Sequence, residues 1–132
     1  MSSRSSHFVL QGVFVMLFCV APIVAAQIPS IRGLAELEFR AGERYEKSGS
    51  LALAEESFTT VWGMEDEDHE FADIRALAGI HLVTLLLRQD KPEEALVWLE
   101  KVANMKDVSD DFTSAAKARL ETLRKVVEGR RP

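Results

Sequence analysis

The chain predicts an all-α fold built from antiparallel helical hairpins, and two observations carry that prediction. The stretch Ala41-Gly42-x-x-Tyr45-x-x-x-Gly49-x-x-x-x-Ala54-x-x-x-Phe58-x-x-Val61 is echoed by Val83-x-x-Leu86-x-x-x-Asp90-x-x-x-x-Ala95-x-x-x-Leu99-x-x-Val102. Small, bulky and turn residues thus recur in one order, as two helices locked across a tight turn require. From Ile31 onward, moreover, apolar residues return at spacings of three and four, the period of a helix with one buried face.

The first helix begins after Pro29 and Gly33 break up the lead-in, with Leu34, Leu37, Ala41 and Tyr45 as its apolar positions. Ser48-Gly49-Ser50 is the turn: Gly49 suits the left-handed conformation that ends a helix, and Ser50 is placed to cap the next with its hydroxyl. The second helix runs from Leu51 to about Trp62, with Leu53, Ala54, Phe58, Val61 and Trp62 expected on its buried side. The acidic link Gly63–Glu70 follows, too polar to bury. A third helix, Phe71 to Arg88, is apolar nearly all round, so it must be covered on several sides and belongs in the middle of the stack. Gln89-Asp90-Lys91 forms the next turn. Pro92-Glu93-Glu94 then opens a fourth helix, since proline fits the first turn and acids favour the positive end of the helix dipole. It presents Ala95, Leu96, Trp98, Leu99 and Val102. A last helix, capped around Ser109 or Asp110, shows Phe112, Ala115, Ala116, Leu120, Leu123 and Val127 on one stripe and charges elsewhere, as a terminal cap does.

The first quarter of the 132 residues reads differently. Met1–Gln11 carries Arg4 and His7 and no acid, Val13–Ala26 is an apolar run of fourteen residues, and Val24-Ala25-Ala26 precedes Gln27. A basic start, an apolar middle and small residues at a cut site make a secretory leader with cleavage after Ala26. A spanning helix needs about twenty apolar residues, and an uncleaved anchor here has to include Gln11, Gly12 and Pro22. The lone Cys19 lies inside the run without the small residue that a lipid-attachment signal places before its cysteine. The exported product then has 106 residues and no thiol, with 15 basic and 21 acidic residues and a net charge of −6. That balance offers no basic face for nucleic acid or anionic lipid. Asn104, followed by Met-Lys, is no glycosylation acceptor, which suits the periplasm of a two-membrane bacterium. The organisation is therefore 1–26 leader, 27–34 lead-in, 35–66 first unit with the acidic link reaching about 70, 71–106 second unit, and 109–129 capping helix.

No chemistry is legible. Ser57, Thr59, Thr60 and Thr84 have no histidine partner at helical spacing, and the carboxylates are strung along surfaces, so no nucleophile, base and charge stabiliser converge and no enzyme is expected. Glu65, Asp66, Glu67, Asp68, His69 and Glu70 supply hard donors, but the glycine turn and alternating offsets of a calcium loop are missing. Neither metal nor cofactor is expected. His81 reads as a satisfied core histidine, Trp62 and Trp98 as packing residues, and Arg40 and Arg44 as partners of Glu36, Glu43 or Glu46 on a solvated surface.

These positions resemble the tetratricopeptide repeat, a helix-turn-helix unit of thirty-four residues. Its small positions match Gly42, Ala54 and Val61, its bulky position Tyr45, its turn glycine Gly49 and its aromatic Phe58; in the second unit the counterparts are Val83, Ala95, Val102, Leu86, Asp90 and Leu99. Ala54 and Ala95 lie 41 residues apart, so the acidic link stands as an insertion, and the family's early tryptophan and late proline are absent. The resemblance implies a short right-handed solenoid of two repeats and a capping helix, with a peptide or partner helix held in the concave face. By register the partner-facing residues are Glu36, Phe39, Glu43, Glu46 and Lys47 in the first unit and Leu77, Ile80, Thr84, Leu87 and Arg88 in the second. The capping helix is expected to cover Leu77, Ile80 and Leu87; left open, they make an apolar strip for an amphipathic helix or a second copy. The function expected is an exported, non-catalytic adaptor of the cell envelope. The alternatives are a subunit anchored in the inner membrane by an uncleaved leader and a self-associating domain.

Overall fold

The computed structural model describes residues 28–132, so the leader, its cut site and Cys19 lie outside the described residues. Among those described there are five helices and no strand: α1 (Ile31–Lys47), α2 (Leu51–Gly63), α3 (Ala72–Arg88), α4 (Pro92–Ala103) and α5 (Asp110–Arg130). They pack in sequence as antiparallel pairs, and Ile31–Pro132 forms one compact unit.

Two turns of the same construction set this arrangement. At the end of α1, Gly49 has φ +81°, its N–H donates to Glu46 O at 3.1 Å, and the Ser50 N–H donates to Tyr45 O at 2.9 Å. At the end of α3, Asp90 has φ +55°, its N–H donates to Leu87 O at 3.1 Å, and the Lys91 N–H donates to Leu86 O at 2.9 Å. Both are the paired closure that satisfies the last carbonyls of a helix while reversing the chain. Contrary to expectation the Ser50 side chain makes no cap hydrogen bond to α2; its Oγ accepts from the Ser48 hydroxyl at 3.3 Å instead. Ser109 does cap α5, its Oγ accepting from the Phe112 N–H at 3.3 Å.

The acidic link is built rather than merely hydrated. The Asp66 carboxylate accepts from the Glu70 and Phe71 N–H groups at 2.7 and 3.0 Å, which brings fully buried Phe71 into the core at the start of α3. His69, in the left-handed region at φ +55°, places Nδ1 2.9 Å from Asp107 Oδ2 and so joins the α2–α3 link to the α4–α5 loop.

α3 lies in the middle, touching α1, α2 and α4. Two buried clusters result. Ala35, Ala54, Phe58, Val61, Phe71, Ile74, Ala78, Leu82 and Leu85 fill the first, and Val83, Leu86, Ala95, Leu99, Val102, Ala116, Leu120 and Val127 the second, with Trp98 packed against both. The spacing of the sequence echo reappears in the packing. The Phe58 ring abuts Gly42, where a β-carbon would lie 2.8 Å from Phe58 Cε1, and the counterparts Val83 and Leu99 share the second cluster. Gly79 is a second close approach, meeting Val102 and Trp62.

Several expected core positions are corrected. Phe58, Leu86 and Leu99 are buried, but Tyr45 is 37% exposed. Leu34, Leu37 and Tyr45 form an outward stripe on α1, which instead buries Ala35 and Gly42. At Gly42 a small residue is required because a β-carbon there would meet the Phe58 ring. On α2, Leu53 is exposed and Ser57 is buried in its place. On α5, Ala115 is exposed.

Candidate functional site: the groove between α3 and α5

α3 has a helix on either side of it, and the two seams differ. Toward α1 the seam is closed by charges. Arg32 forms a bidentate pair with Asp73 at 3.1 and 3.2 Å, also reaching Glu36 at 3.2 Å and the Glu70 carbonyl. The hydrogen bond from Arg32 holds the Asp73 carboxyl below the usual carboxylate range, and the same bond raises the Arg32 guanidinium. Further along, Glu46 Oε2 lies 2.8 Å from His81 Nδ1 and Glu46 Oε1 lies 3.7 Å from Arg88. His81 is stacked on Phe58 with ring centroids 4.6 Å apart, and Phe39 meets both rings edge-on at 5.4 Å.

This seam corrects three expectations. Phe39 is a half-buried member of an aromatic cluster rather than an open contact residue. Glu46 is consumed by His81 and Arg88. Arg40 and Arg44 are exposed with no ion pair among the described residues, since Glu36 and Glu46 have taken other cations. Glu43 and Lys47 line neither of the cavities described below.

Toward α5 the seam is open. α5 packs along α4 and stands off from α3. It is held at its two ends: His69–Asp107 lies beside its start, and near its finish Arg130 Nη1 reaches Asp90 Oδ1 at 2.8 Å. Between these ends a cavity of about 510 Å³ is walled by Ile80, Thr84 and Leu87 of α3 and Ala118, Thr122 and Val126 of α5, with Leu99 of α4 among its lining residues. A second, separate cavity of about 440 Å³ is lined by Asp73, Ala76, Leu77, Asp107 and Phe112. The capping helix therefore does not cover the strip: Leu77 and Leu87 are 49% and 44% exposed, and Ile80 is half-buried. Both volumes fall in the range of about 300–1,000 Å³ usual for ligand-sized clefts.

The larger cavity is mostly apolar. Thr84 and Thr122 turn their hydroxyls back to the carbonyls of Ile80 and Ala118, each at 3.1 Å, so neither hydroxyl hydrogen is free for an occupant. Arg119 is the one charged residue lining the larger cavity, and it has no ion pair among the described residues. Four of the five predicted contact residues of the second unit, Leu77, Ile80, Thr84 and Leu87, line the two cavities; Arg88, engaged by Glu46, does not.

The α5 wall was missed by sequence reasoning, which expected charges everywhere outside the buried stripe. Its signal is a second uncharged row, Ala115, Ala118, Thr122 and Val126, at spacings of three, four and four. Among the described residues no group of three or more His, Cys, Asp or Glu side chains could hold a metal ion, and no helix is long and apolar enough to cross a membrane. Trp62 and Trp98 meet edge to face at 5.5 Å, with Arg75 and Lys101 over their rings, and belong to packing between the hairpins. Comparison with protein-family models, with curated proteins and with solved structures finds no match.

Proposed function

We propose that this chain is an exported, non-catalytic protein-interaction module, related in architecture to tetratricopeptide repeats, that takes a helical or extended polypeptide segment into the α3–α5 groove. The observation that carries the proposal is the row Leu77, Ile80, Thr84 and Leu87 on α3, which lines the two cavities and occupies the positions that the repeat register assigns to a binding face. Two like turns 41 residues apart, the Gly42–Phe58 contact and the shared burial of Val83 and Leu99 support the repeat reading. In that reading the helices form a short right-handed solenoid with α5 as its cap. A groove of this kind receives an amphipathic segment through apolar anchors at helical spacing.

The test is site-specific photocrosslinking in intact bacteria producing the full chain, with the probe at Thr84 or Leu87 and a control at Glu56 on the exposed face of α2. Discrete adducts from the groove positions and none from Glu56 support the module. Equal labelling from all three positions removes it.

The apolar run at 13–26 also motivates a second reading, a membrane-held subunit whose helices project into the periplasm. Mass spectrometry and fractionation separate the two. Loss of residues 1–26 with release by osmotic shock fits the exported module, and full mass in the membrane fraction fits the anchored subunit.

A further inference from the structure

α1 carries an apolar surface that nothing among the described residues covers. Ile31, Leu34, Leu37 and Tyr45 are all more than a third exposed, with Leu53 of α2 exposed to a similar degree. Leu34, Leu37, Ala41 and Tyr45 recur at spacings of three, four and four, so they form one row of roughly 16 Å at 1.5 Å per residue. Leu77 to Leu87, the α3 wall of the groove, spans roughly 15 Å on the same measure. An α1 ridge and an α3 row of similar length thus sit on one molecule. They cannot meet within it, because α1 is fixed against α2 and α3 of its own chain.

Charge favours the same pairing. Arg119 is an exposed guanidinium lining the larger cavity with no ion pair among the described residues, so an occupant that brings a carboxylate beside it is favoured. Glu38 stands beside the α1 row and has no ion pair among the described residues. We infer that the groove between α3 and α5 is filled by the α1 ridge of a second copy of this chain, with Glu38 of one molecule meeting Arg119 of the other. The inference rests on the groove being a docking surface, as proposed above, and names its occupant. Such a contact joins two different surfaces, so it either closes by reciprocal exchange into a dimer or continues into longer assemblies.

The test is sedimentation of the purified product of the full-length gene over a range of concentrations, with circular dichroism to show that each variant remains folded. Leu37→Glu on the ridge and Val126→Glu in the groove, both at exposed positions, are each expected to weaken association by about tenfold or more. Glu38→Arg and Arg119→Glu are each expected to weaken it as well. Mixing those last two variants restores it, since both ridge-to-groove contacts between unlike molecules then pair opposite charges. A wild-type monomer at every concentration overturns the inference. So does an Arg119→Glu protein that associates as the wild type does, which is the result for a ridge-on-ridge dimer. A monomer that still gives discrete Thr84 crosslinks to another protein removes the second copy as occupant and keeps the interaction module. A monomer with no Thr84 adduct removes both.

Discussion

Gly42 lies flush against the ring of Phe58: a β-carbon at that glycine would sit 2.8 Å from Cε1 and 2.9 Å from Cζ. The ring has nowhere to retreat, being fully buried and stacked against His81 with Phe39 at its edge. Gly42→Ala is therefore expected to destabilise despite the better helix propensity of alanine. Overpacking costs about 1–3 kcal/mol, against a propensity gain of about 1 kcal/mol. Urea unfolding checks the net loss. In the background of Phe58→Leu, where the ring is gone, the loss is expected to shrink, a non-additivity that belongs to residues in contact.

The two turns differ in their left-handed residue. Gly49 takes φ +81° without penalty, whereas Asp90 holds φ +55° with a side chain attached. Gly49→Ala is expected to cost about 1–2 kcal/mol, the usual penalty of a side chain in this region. Asp90→Gly removes such a penalty but releases Arg130, an exposed partner whose ion pair is worth about 0–1 kcal/mol. Thermal melts are expected to show a fall for the first substitution and a small rise for the second.

Ser109 and Ser50 occupy the same position before their helices and do different things. Ser109 accepts from the Phe112 N–H, while the Ser50 side chain caps nothing. Ser109→Ala is expected to lose about 1 kcal/mol. Ser50→Ala is expected to stay within about 0.5 kcal/mol of the parent, as exposed substitutions do. The contrast is read from denaturant midpoints of the two single variants.

Asp73 is held below the ordinary carboxylate range by its hydrogen bond from Arg32. A depressed folded value means stability that is present above the unfolded value, about 3.9 for aspartate, and that disappears as the pH falls through the lower folded value. Asp73→Asn is expected to melt slightly below the parent at neutral pH, and the gap to close as the medium is acidified past that range. Both partners are substantially exposed, so the gap is also expected to narrow in high salt. A gap independent of pH assigns the loss to packing instead.

The helices and turns were legible because they rest on local chemistry: apolar spacing of three and four, Gly49, and Pro92 behind two acids at the start of α4. The buried side of α1 was not. Hydropathy points to Leu34, Leu37 and Tyr45, yet the core takes Ala35 and Gly42, and a small residue chosen for the room it leaves carries no hydrophobic signal. On the α3 side, Leu77, Ile80, Thr84 and Leu87, which line the cavities, stand in the sequence as a row at helical spacing. The α5 wall was not legible, since Ala118, Thr122 and Val126 are too small or too weakly apolar to stand out beside Leu120 and Leu123. Nor could sequence foretell that α3 is drawn to α1 through Arg32, Glu46 and His81 and left apart from α5, because those ties join residues 35 to 41 positions apart.

Trp62 and Trp98, the two indoles in the chain, touch across the boundary where one hairpin rests on the next. Ultraviolet emission is thereby an internal gauge of that boundary. A shift in its wavelength while far-ultraviolet dichroism is still unchanged marks hairpins that have come apart as intact rods, and coincident signals mark a molecule that melts as one.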